Sequence, residues 1–392
     1  NGKPYYYIGT NFWYGAILAS VGQGGNRARL LKELDFMKAA GVSNLRVLVG
    51  ADGPDGQAVK VMPALQAKPA EYNDTIFDGL DYLLAEMDKR GMTAVLFLNN
   101  SWEWSGGYGQ YLSWAGYGDV PPEGVHNWPV FLAHVSQYAT CDSCHAMFLR
   151  HVEKVVARVN RYTGKKYIDD PAIMSWQIGN EPRAFSDEGK PAFAAWLKEA
   201  TALIRSLDPN HLISIGNEGQ MGCEGDMSLY EAIHADTNVD YLTIHIWPKN
   251  WGWIQSPDVA KTVDTAIAKT NAYISAHAAV AQKLRKPLVV EEFGYPRDGH
   301  RYTPDIPTTS RDSYYACIFE QVVASAESGG VLAGCNFWAW GGFGRPSHEL
   351  WMPWDSYLGD PSQEEQGLNS VFDADATVSL IKEYASRLAT KK

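Results

Sequence analysis

Two glutamate-bearing segments are candidates for acid–base chemistry, because each carries a carboxylate at the end of an apolar run. The segment SWQIGNEP ends with Asn180, Glu181 and a proline, and the segment PLVVEEFG carries Glu291 and Glu292. Charged side chains are rarely buried unless they are paired or used. Two carboxylates that flank one bond can cleave a glycoside, since one protonates the leaving oxygen and the other attacks the anomeric carbon or activates water. This chemistry requires a fold that brings the two segments together.

The pattern of the whole chain predicts such a fold. Short β-rich apolar runs alternate with longer amphipathic segments over 392 residues. Eight strands are predicted, at 5–15, 44–49, 93–100, 173–182, 212–219, 241–248, 287–294 and 334–342. Eight strands that alternate with about eight helices indicate an α/β protein with a (β/α)8 TIM barrel, formed by residues 1–392 as a single domain. The continuous apolar character of the strands fits strands that are covered on both faces.

Helical segments are predicted between the strands. They lie at 26–41, 76–91, near 145–162, at 188–207, 226–235, 258–285, 310–328 and 374–390, and only the fifth is short and weak. Long stretches at 50–75, 101–144 and 343–373 follow strands two, three and eight, which places them on the catalytic face of a barrel. Within them, 52–57 and 105–124 are predicted to be loop or lid. An open doubly wound sheet is disfavoured, because VGQGGNRARL lacks the G-x-G-x-x-G spacing.

The C-terminal ends of barrel strands face one common site. These ends give a polar and aromatic ring of Trp13, Arg46, Asn100, Trp102, Asn180, Glu181, His245, Trp247, Glu292 and Trp338. Arg46 could keep a nucleophilic carboxylate ionised, and Asn180 could bond a sugar 2-hydroxyl. Glu218, at the end of strand five, is an alternative to Glu181 as the first strand-end carboxylate of the pair. It lacks the Asn-Glu-Pro ending, so Glu181 is the preferred candidate. Each residue alone could be structural, and their joint occurrence on matching strand ends favours a site.

These residues resemble those of a known family. IGNEP on strand four and VEEFG on strand seven resemble glycoside hydrolase family 5, which belongs to a large clan of (β/α)8 retaining glycosidases. The resemblance implies that Glu181 is the acid/base and that Glu292, rather than Glu291, is the nucleophile. It implies neither a metal nor an organic cofactor. The family's arginine of strand two, histidine of strand six and tryptophan of strand eight correspond to Arg46, His245 and Trp338.

Within the family, the chain is most similar to the β-mannanases, through GTNFWYG, NNSWEWSGG, HIWP and GDPSQEEQGLNSVFD. This implies retaining hydrolysis of β-1,4-mannosidic bonds in mannan, glucomannan or manno-oligosaccharides, with the carboxyl groups about 5–5.5 Å apart. Two departures affect the assignment. Trp247 stands where the family usually has a tyrosine that bonds near the nucleophile, so an indole N–H or another partner must replace it. In NNSWEW, Ser101 stands between the asparagines and the first tryptophan, so the segment has one residue more than the usual NNW. The assignment of Trp102 as the family's tryptophan depends on this extra residue.

Two alternatives stay open at this point. A β-1,4-glucanase on the same scaffold would share the fold and the catalytic pair, because loops decide the substrate. A carbohydrate-binding protein without catalysis would keep the aromatic platform and lose a carboxylate or Arg46, and both are present here. The position of cleavage also stays open. The long loops after strands two, three and eight could close one end of the cleft, which would favour exo-action or short substrates.

Composition restricts the partners. The net charge of −11 argues against nucleic acid and anionic membranes, which require basic patches. The 14 Trp, 21 Tyr and 13 Phe residues suit a large core and also stacking surfaces for sugars. No apolar run reaches the length of a membrane span. The chain begins at Asn1 rather than Met, which fits removal of a signal peptide. We expect a secreted or periplasmic monomer.

The five cysteines do not form a disulfide framework, because their number is odd. Cys141 and Cys144, followed by His145, resemble half of a zinc site, but no second pair completes it. We therefore expect either a local disulfide or two free thiols at Cys141 and Cys144.

Overall fold

Eight parallel strands form the centre of the molecule. The computed structural model describes residues 4–57, 60–121, 127–255 and 257–390. The strands are β1 (Tyr7–Asn11), β2 (Asn44–Leu48), β3 (Thr93–Phe97), β4 (Ile173–Gln177), β5 (Leu212–Ser214), β6 (Leu242–Ile246), β7 (Leu288–Phe293) and β8 (Leu332–Phe337). The first strand pairs with the last, so the sheet curls into a barrel. The predicted (β/α)8 architecture is confirmed.

The barrel is nearly closed, with its seam between β5 and β6. These strands lie at the two ends of the hydrogen-bonded strand order. Single bonds cross the seam: the Asp240 N–H donates to the Ile213 carbonyl (2.9 Å), and the His245 N–H donates to the Glu218 carbonyl (3.1 Å). The seam therefore joins His245 and Glu218, which the sequence analysis named as site candidates.

A helix follows each strand. These helices are α1 (Arg27–Ala39), α2 (Asp74–Lys89), α3 (Asp142–Val156), α4 (Lys190–Leu207), α5 (Met227–His234), α6 (Val259–Leu284), α7 (Thr309–Ser328) and α8 (Ala376–Ala389). The helix α5, which had the weakest sequence pattern, is also the shortest, with 8 residues. The last helix, α8, packs against β1. Among the described helices, none is both long and apolar enough to cross a membrane.

The sequence of α2 shows why these segments are helical. The Asn73 side chain accepts a hydrogen bond from the Thr75 N–H (3.0 Å) and so caps the start of the helix. Gly91 follows the helix with φ of +59°, a conformation that glycine adopts without steric cost. The buried apolar residues recur at helical spacing, at Ile76, Phe77, Leu80, Leu83, Leu84 and Met87. Burial of each such side chain contributes about 1.5–3 kcal/mol.

Shorter elements occupy the loops. They are the helix Gly15–Leu18, the hairpin of Gln66–Lys68 and Glu71–Tyr72, the helices Gly107–Trp114 and Trp128–Val135, and the paired strands Trp340–Gly342 and Val371–Phe372. Single 3-10 turns lie at Glu103–Ser105, Ser136–Thr140, Tyr167–Asp169, Met221–Cys223 and Asp298–His300.

The segment 105–124, predicted to be loop or lid, is in part a buried helix. Tyr108 and Tyr111 of the helix Gly107–Trp114 are only 1% and 0% exposed, so this part belongs to the core. Gly106, Gly107 and Gly109 serve close packing, since a Cβ on Gly107, for example, would lie 2.2 Å from the Asn100 carbonyl oxygen, whereas Gly116 and Gly118 have open space around them. Residues 122–124 of the predicted lid lie outside the described ranges.

All five cysteines lie within the described ranges and are free thiols. Cys141 precedes α3, and its sulfur accepts a hydrogen bond from the Cys144 N–H (3.3 Å), so it caps the helix. The Nε2 atom of His145 contacts the Tyr138 carbonyl oxygen (2.9 Å). Of the two expectations for Cys141 and Cys144, free thiols are therefore what the structure shows.

Candidate active site

Glu181 is delivered by a segment that continues beyond β4. The strand ends at Gln177, but the Asn180 N–H still donates to the Asn99 carbonyl (2.8 Å). Glu181 has φ of +53°, a left-handed conformation that is uncommon outside glycine. Its N–H donates to the Gly216 carbonyl (3.0 Å). Backbone strain of this kind persists only where the surrounding structure fixes it, and it concentrates at functional sites.

Gly216 makes the approach of this segment possible. It has φ of +85°, and a Cβ there would lie 2.0 Å from the Gly179 carbonyl oxygen. Only glycine meets both conditions. The sequence motif GNEG on strand five is therefore part of the support for Glu181.

A β-bulge on β7 turns two consecutive glutamates toward the barrel interior. Ile244 of β6 pairs with Val290 of β7, but the next residue, His245, pairs with Glu292, so that Glu291 is the extra residue. Side chains alternate between the two faces of a regular strand, and a bulge interrupts this alternation. Both Glu291 and Glu292 are consequently buried, at 0% and 2% exposed.

The carboxylates of Glu181 and Glu292 meet at the C-terminal end of the barrel. An oxygen of one lies within 4.8 Å of an oxygen of the other. Glu292 accepts hydrogen bonds from Arg46 Nη1 and from the Trp247 indole (3.2 Å). Glu181 accepts one from the Trp102 indole, and its Oε1 lies 2.8 Å from His245 Nδ1. Each carboxylate thus has its own tryptophan donor, and Arg46 bonds only Glu292 of the two, whereas His245 lies near both. The short gap is typical of retaining rather than inverting glycosidases.

The guanidinium of Arg46 is fully buried and has an acceptor for each nitrogen. Its Nε donates to Gln177 Oε1 (2.8 Å), its Nη2 to Asn180 Oδ1 (2.9 Å), and its Nη1 to Asn11 Oδ1 (3.1 Å) as well as to Glu292. A buried charge without partners is strongly destabilising. The network therefore holds both Asn180 and Glu292 in place.

Glu291 supplies a third buried carboxylate behind the pair. Gln177 Nε2 donates to both of its oxygens (2.9 and 2.8 Å). Arg46 Nε lies 3.4 Å from Glu291, and His245 Nε2 lies 3.6 Å from it. Glu291 therefore balances the charges of the two basic residues, whereas Glu292 faces the cavity.

The two cavity-facing carboxyl groups differ in their affinity for protons. Burial raises the pKa of Glu292 to about 7, against the opposing charges of His245 and Arg46. Burial also raises the pKa of Glu181, but the hydrogen bonds from His245 and Trp102 outweigh this effect. The pKa of Glu181 therefore lies below its ordinary value. Because the groups are so close, they lose their protons as a pair in two steps. Between the two steps the pair holds one proton and one negative charge, as acid–base catalysis needs.

His245 is positively charged at neutral pH. Burial alone would lower the pKa of His245, but the charge of Glu292 and the hydrogen bonds to Glu181 and Glu291 raise it to about 10. Glu181, His245 and Glu292 place three ligand-type atoms close enough to hold a metal ion. A protonated imidazole has no lone pair to offer a metal. The cluster is accordingly suited to binding protons.

The carboxylates open into a cavity of about 250 Å³. Six tryptophans contribute to its wall, and their ring faces can cover the apolar faces of sugars. The lining consists of Trp102, Trp104, Trp128, Asn180, Glu181, Arg183, Glu218, Met221, Trp247, Asn250, Trp251, Glu292, Trp338, Pro361, Gln363 and Glu364.

The structure brings most of the predicted site residues together. Those that line the cavity are Trp102, Asn180, Glu181, Trp247, Glu292 and Trp338. Arg46, Asn100 and His245 are buried behind them. Asn100 Oδ1 accepts a hydrogen bond from Asn180 Nδ2 (3.2 Å), so Asn100 positions Asn180 and does not face the cavity itself.

Trp13, predicted to bind substrate, does not line the cavity. Its strand ends at Asn11 and the chain turns into the helix Gly15–Leu18, so Trp13 lies in the core at 1% exposed. Its indole donates to the Gly359 carbonyl (2.8 Å), and its ring packs edge-on against Trp104 (5.3 Å). Contrary to the prediction, Trp13 therefore does not face the cavity. It supports the cavity wall by packing behind Trp104, which lines the cavity.

Trp247 provides the hydrogen bond that was in question because tryptophan replaces tyrosine. Its indole N–H donates to Glu292 Oε2 (3.2 Å). Gly294, two residues after Glu292, leaves room for the ring, because a Cβ there would lie 2.6 Å from the Trp247 ring. Gly294 of the VEEFG motif therefore makes room for Trp247, the hydrogen-bond donor that follows the neighbouring strand β6.

Sequence reasoning missed much of the cavity wall. The loops supply Trp104, Trp128, Asn250, Trp251, Pro361, Gln363 and Glu364, where no periodic pattern marks a residue as facing a site. Two further residues had a usable signal. Arg183 follows the Asn-Glu-Pro motif directly, and Glu218 was ranked second. Arg183 Nε lies 3.4 Å from Glu218, and burial raises the pKa of Glu218 to about 7 against the charge of Arg183.

A (β/α)8 barrel with two carboxylates 4.8 Å or less apart at the C-terminal ends of β4 and β7 defines a glycoside hydrolase. The family model described as GH family 5 beta-mannosidase-like matches residues 1–392. The chain belongs to this family.

Known proteins agree with the assignment. A putative mannan endo-1,4-beta-mannosidase 9 of Oryza sativa subsp. japonica is 31% identical over 356 residues, which cover 86% of this chain and 78% of that protein. The structure of a glycoside hydrolase family 5 mannosidase from Rhizomucor miehei has a TM-score of 0.91 and 36% identity, covering 100% of this chain and 94% of that one. A variant of the Rhizomucor enzyme, 35% identical with the same TM-score and coverage, was solved in complex with mannosyl-fructose.

We predict that Trp247→Phe lowers kcat/KM about 10- to 100-fold, because it removes a hydrogen bond to a charged carboxylate and keeps the ring. Trp247→Tyr should recover part of the loss by restoring a donor. Steady-state kinetics on a chromogenic β-glycoside measures both. Trp253→Phe is the control, since Trp253 packs on Trp251 and does not line the cavity. Equal activity of Trp247→Phe and wild type would show that the indole N–H contributes nothing.

The paired carboxyl groups predict a bell-shaped dependence of kcat/KM on pH. On the acid side, activity rises with pH as the pair loses its first proton. This step lies below the ordinary pKa of a glutamate, because the hydrogen bonds from His245 and Trp102 lower the pKa of Glu181. The alkaline limb lies near pH 7, because the raised pKa of Glu292 keeps the second proton on the pair only up to about that value. Initial rates between pH 3 and pH 9 test this. A plateau that extends to pH 9 would contradict it.

Proposed function

We propose that the chain hydrolyses β-1,4-mannosidic bonds with retention of anomeric configuration, using Glu292 as nucleophile and Glu181 as acid/base. The observation that carries the proposal is the pair of carboxylates within 4.8 Å, each with separate donors. This gap leaves no space for a water between an inverting pair, which needs about 6.5–9.5 Å. Arg46 donates only to Glu292 of the two, and its charge counteracts the rise in the pKa of Glu292 that burial causes.

In the first step a sugar ring lies in the cavity with its anomeric carbon next to Glu292. A carboxylate oxygen of Glu292 forms a bond to that carbon while the bond to the leaving oxygen breaks. Glu181 transfers its proton to the leaving oxygen, so no free alkoxide forms. In the free protein the pKa of Glu292 lies above that of Glu181, so the shared proton must move to Glu181 to give the reactive form. Asn180, held by Arg46, lines the cavity where it can bond the 2-hydroxyl, a contact that strengthens in the transition state.

In the second step water replaces the leaving group. Glu181, now ionised, accepts a proton from the water, whose oxygen attacks the anomeric carbon and displaces Glu292. Two inversions at one carbon give net retention. His245, which is charged and contacts both carboxylates (2.8 and 3.4 Å), compensates the negative charge that moves between them.

The substrate class is supported by relatives and by the cavity wall. Relatives of this chain are named mannan endo-1,4-beta-mannosidases, and a related mannosidase holds mannosyl-fructose. The six tryptophans of the cavity wall suit neutral sugars, which offer apolar ring faces and no charge. We also propose that the chain acts as a monomer, since one barrel supplies both carboxylates together with the hydrogen-bond donors of each.

The experiment that tests this function is a product time course on mannohexaose and cellohexaose, for wild type and Glu181→Ala. We expect rapid cleavage of mannohexaose that collapses at least 1,000-fold in the variant, on the order of the loss when a catalytic group is removed. Glu188→Ala, at an exposed position, is the control. Preference for cellohexaose would move the substrate to glucan, and no cleavage of either would overturn hydrolysis. Mannose as the earliest product indicates action at a chain end, and mixed oligosaccharides indicate internal cleavage.

We further propose that the protein acts outside the cytoplasm, because polymeric mannan is too large to enter a cell intact. The support is the substrate class alone. Fractionation of the source cells, followed by immunodetection, should find the chain in the medium or the periplasm. Detection only in the cytoplasmic fraction would refute export.

A further inference from the structure

The loop after β8 carries a tryptophan that is almost fully exposed. The exposed fraction of Trp354 is 80%, the largest among the large hydrophobic residues of the described ranges. Leu350 and Met352 beside it are 43% and 51% exposed. An indole in this position gains little from packing within its own chain, so its presence needs another physical reason.

Trp354 occupies the third position of a tight turn. The Asp355 N–H donates to the Met352 carbonyl (2.9 Å), Pro353 is the second residue, and Trp354 has φ of +86°. These are the features of a type II β-turn, whose third position favours glycine because the Cβ of other residues clashes with the backbone at positive φ. A bulky residue in this conformation is an outlier and strains the chain. Positions that break a local rule without a structural gain are expected at functional sites.

The turn that carries Trp354 is a built structure with a fixed backbone. Asp355 Oδ2 accepts a hydrogen bond from the Met352 N–H (3.0 Å), and the Trp351 indole donates to the Asp355 carbonyl (3.2 Å). Trp351 in turn stacks on Tyr357, with centroids 4.8 Å apart and 7° between the ring planes. The backbone strain at Trp354 is therefore held by its neighbours.

The turn is also joined to the wall of the active-site cavity. Tyr357 packs edge-on against Trp13 (5.3 Å), and Trp13 packs against Trp104, which lines the cavity. The Gln366 N–H donates to the Glu349 carbonyl (2.7 Å), which ties the segment before the turn to the segment after 361–364, another part of the cavity lining. Trp354 thus lies on the same loop that walls the cavity at the catalytic face of the barrel.

We propose that Trp354 is a stacking platform for a distal sugar of a manno-oligosaccharide whose reacting end lies in the cavity. This inference rests on the proposed function. The exposed indole offers a flat apolar surface of the size of a pyranose ring, and stacking on it requires no charge. A chain longer than the cavity must leave it across the loops of the catalytic face, where this exposed ring is available.

Other occupants fit the surface less well. Glu349 and Asp355 flank the turn and the net charge is −11, so an anionic membrane would be repelled. A stable interface with a second protein chain requires about 800 Å² from each partner. One indole with Leu350 and Met352 beside it provides much less, because even a large aromatic side chain contributes only about 150–250 Å².

The test compares kcat/KM for mannohexaose with kcat/KM for mannotriose in wild type, Trp354→Ala, Trp354→Gly and Trp354→Phe. We expect the ratio of the two values to fall about three- to tenfold in the alanine and glycine variants, because one aromatic contact is lost. Trp354→Phe should keep most of the ratio, since it keeps a ring. Leu350→Ala, on the same loop, should keep the wild-type ratio.

Thermal unfolding of Trp354→Gly separates binding from a structural role. Glycine relieves the strain at positive φ, so we expect the Tm of this variant to equal or exceed that of wild type while the ratio falls. An unchanged ratio in both the alanine and glycine variants overturns the platform. A Tm of Trp354→Gly several degrees below wild type also overturns it, because the indole would then hold the loop.

Two further outcomes have distinct meanings. A wild-type dimer in sedimentation velocity that dissociates in Trp354→Ala assigns the ring to a second copy and overturns the sugar platform. Wild-type activity on cellohexaose but not on mannohexaose refutes the proposed substrate and leaves the platform testable, through the same ratio for cellohexaose and cellotriose.

Discussion

The buried guanidinium of Arg46 is the interaction on which the rest of the site depends. It has no access to water, so each nitrogen must find its acceptor within the protein. Asn11 comes from β1, Gln177 from β4 and Glu292 from β7, so the charge is compensated only when the barrel has closed. Removal of one partner from such a cluster typically costs about 3–5 kcal/mol. The same contacts that stabilise the fold therefore fix the geometry of the carboxylate that faces the cavity.

The charges of the cluster also explain why a proton stays on the carboxyl pair. Arg46 and His245 contribute two positive charges, and Glu181, Glu291 and Glu292 contribute three carboxyl groups. One proton shared by Glu181 and Glu292 makes the buried cluster neutral, and loss of that proton would leave an uncompensated negative charge away from water. Burial thus holds the upper pKa of the pair near 7. The extra carboxylate is available because of the bulge, since a regular β7 strand would turn Glu291 and Glu292 to opposite faces.

Regular patterns in the sequence were sufficient to predict the barrel, because buried parallel strands and amphipathic helices each leave a period in the chain. The ends of β4 and β7 followed from the same pattern, which is why Glu181 and Glu292 could be placed near each other. Details that break the pattern could not be predicted. The bulge at Glu291 is set by register with β6, and the left-handed backbone of Glu181 is set by Gly216. Trp13 was misplaced because strand alternation was extended past the real end of β1, where the chain turns into a helix.

The buried charges and much of the cavity wall come from different parts of the fold. Arg46, His245 and the glutamates belong to strands or strand ends, whereas Trp104, Trp128 and 361–364 come from loops without a period. Fold and reaction type can therefore be derived from residue patterns, but the substrate depends on loop residues whose position only a structure shows. The strain at Glu181 and that at Trp354 illustrate the two cases. The first is fixed by the barrel and serves bond cleavage, and the second is fixed by a loop that can vary without disturbing the barrel, which is where substrate preference can change.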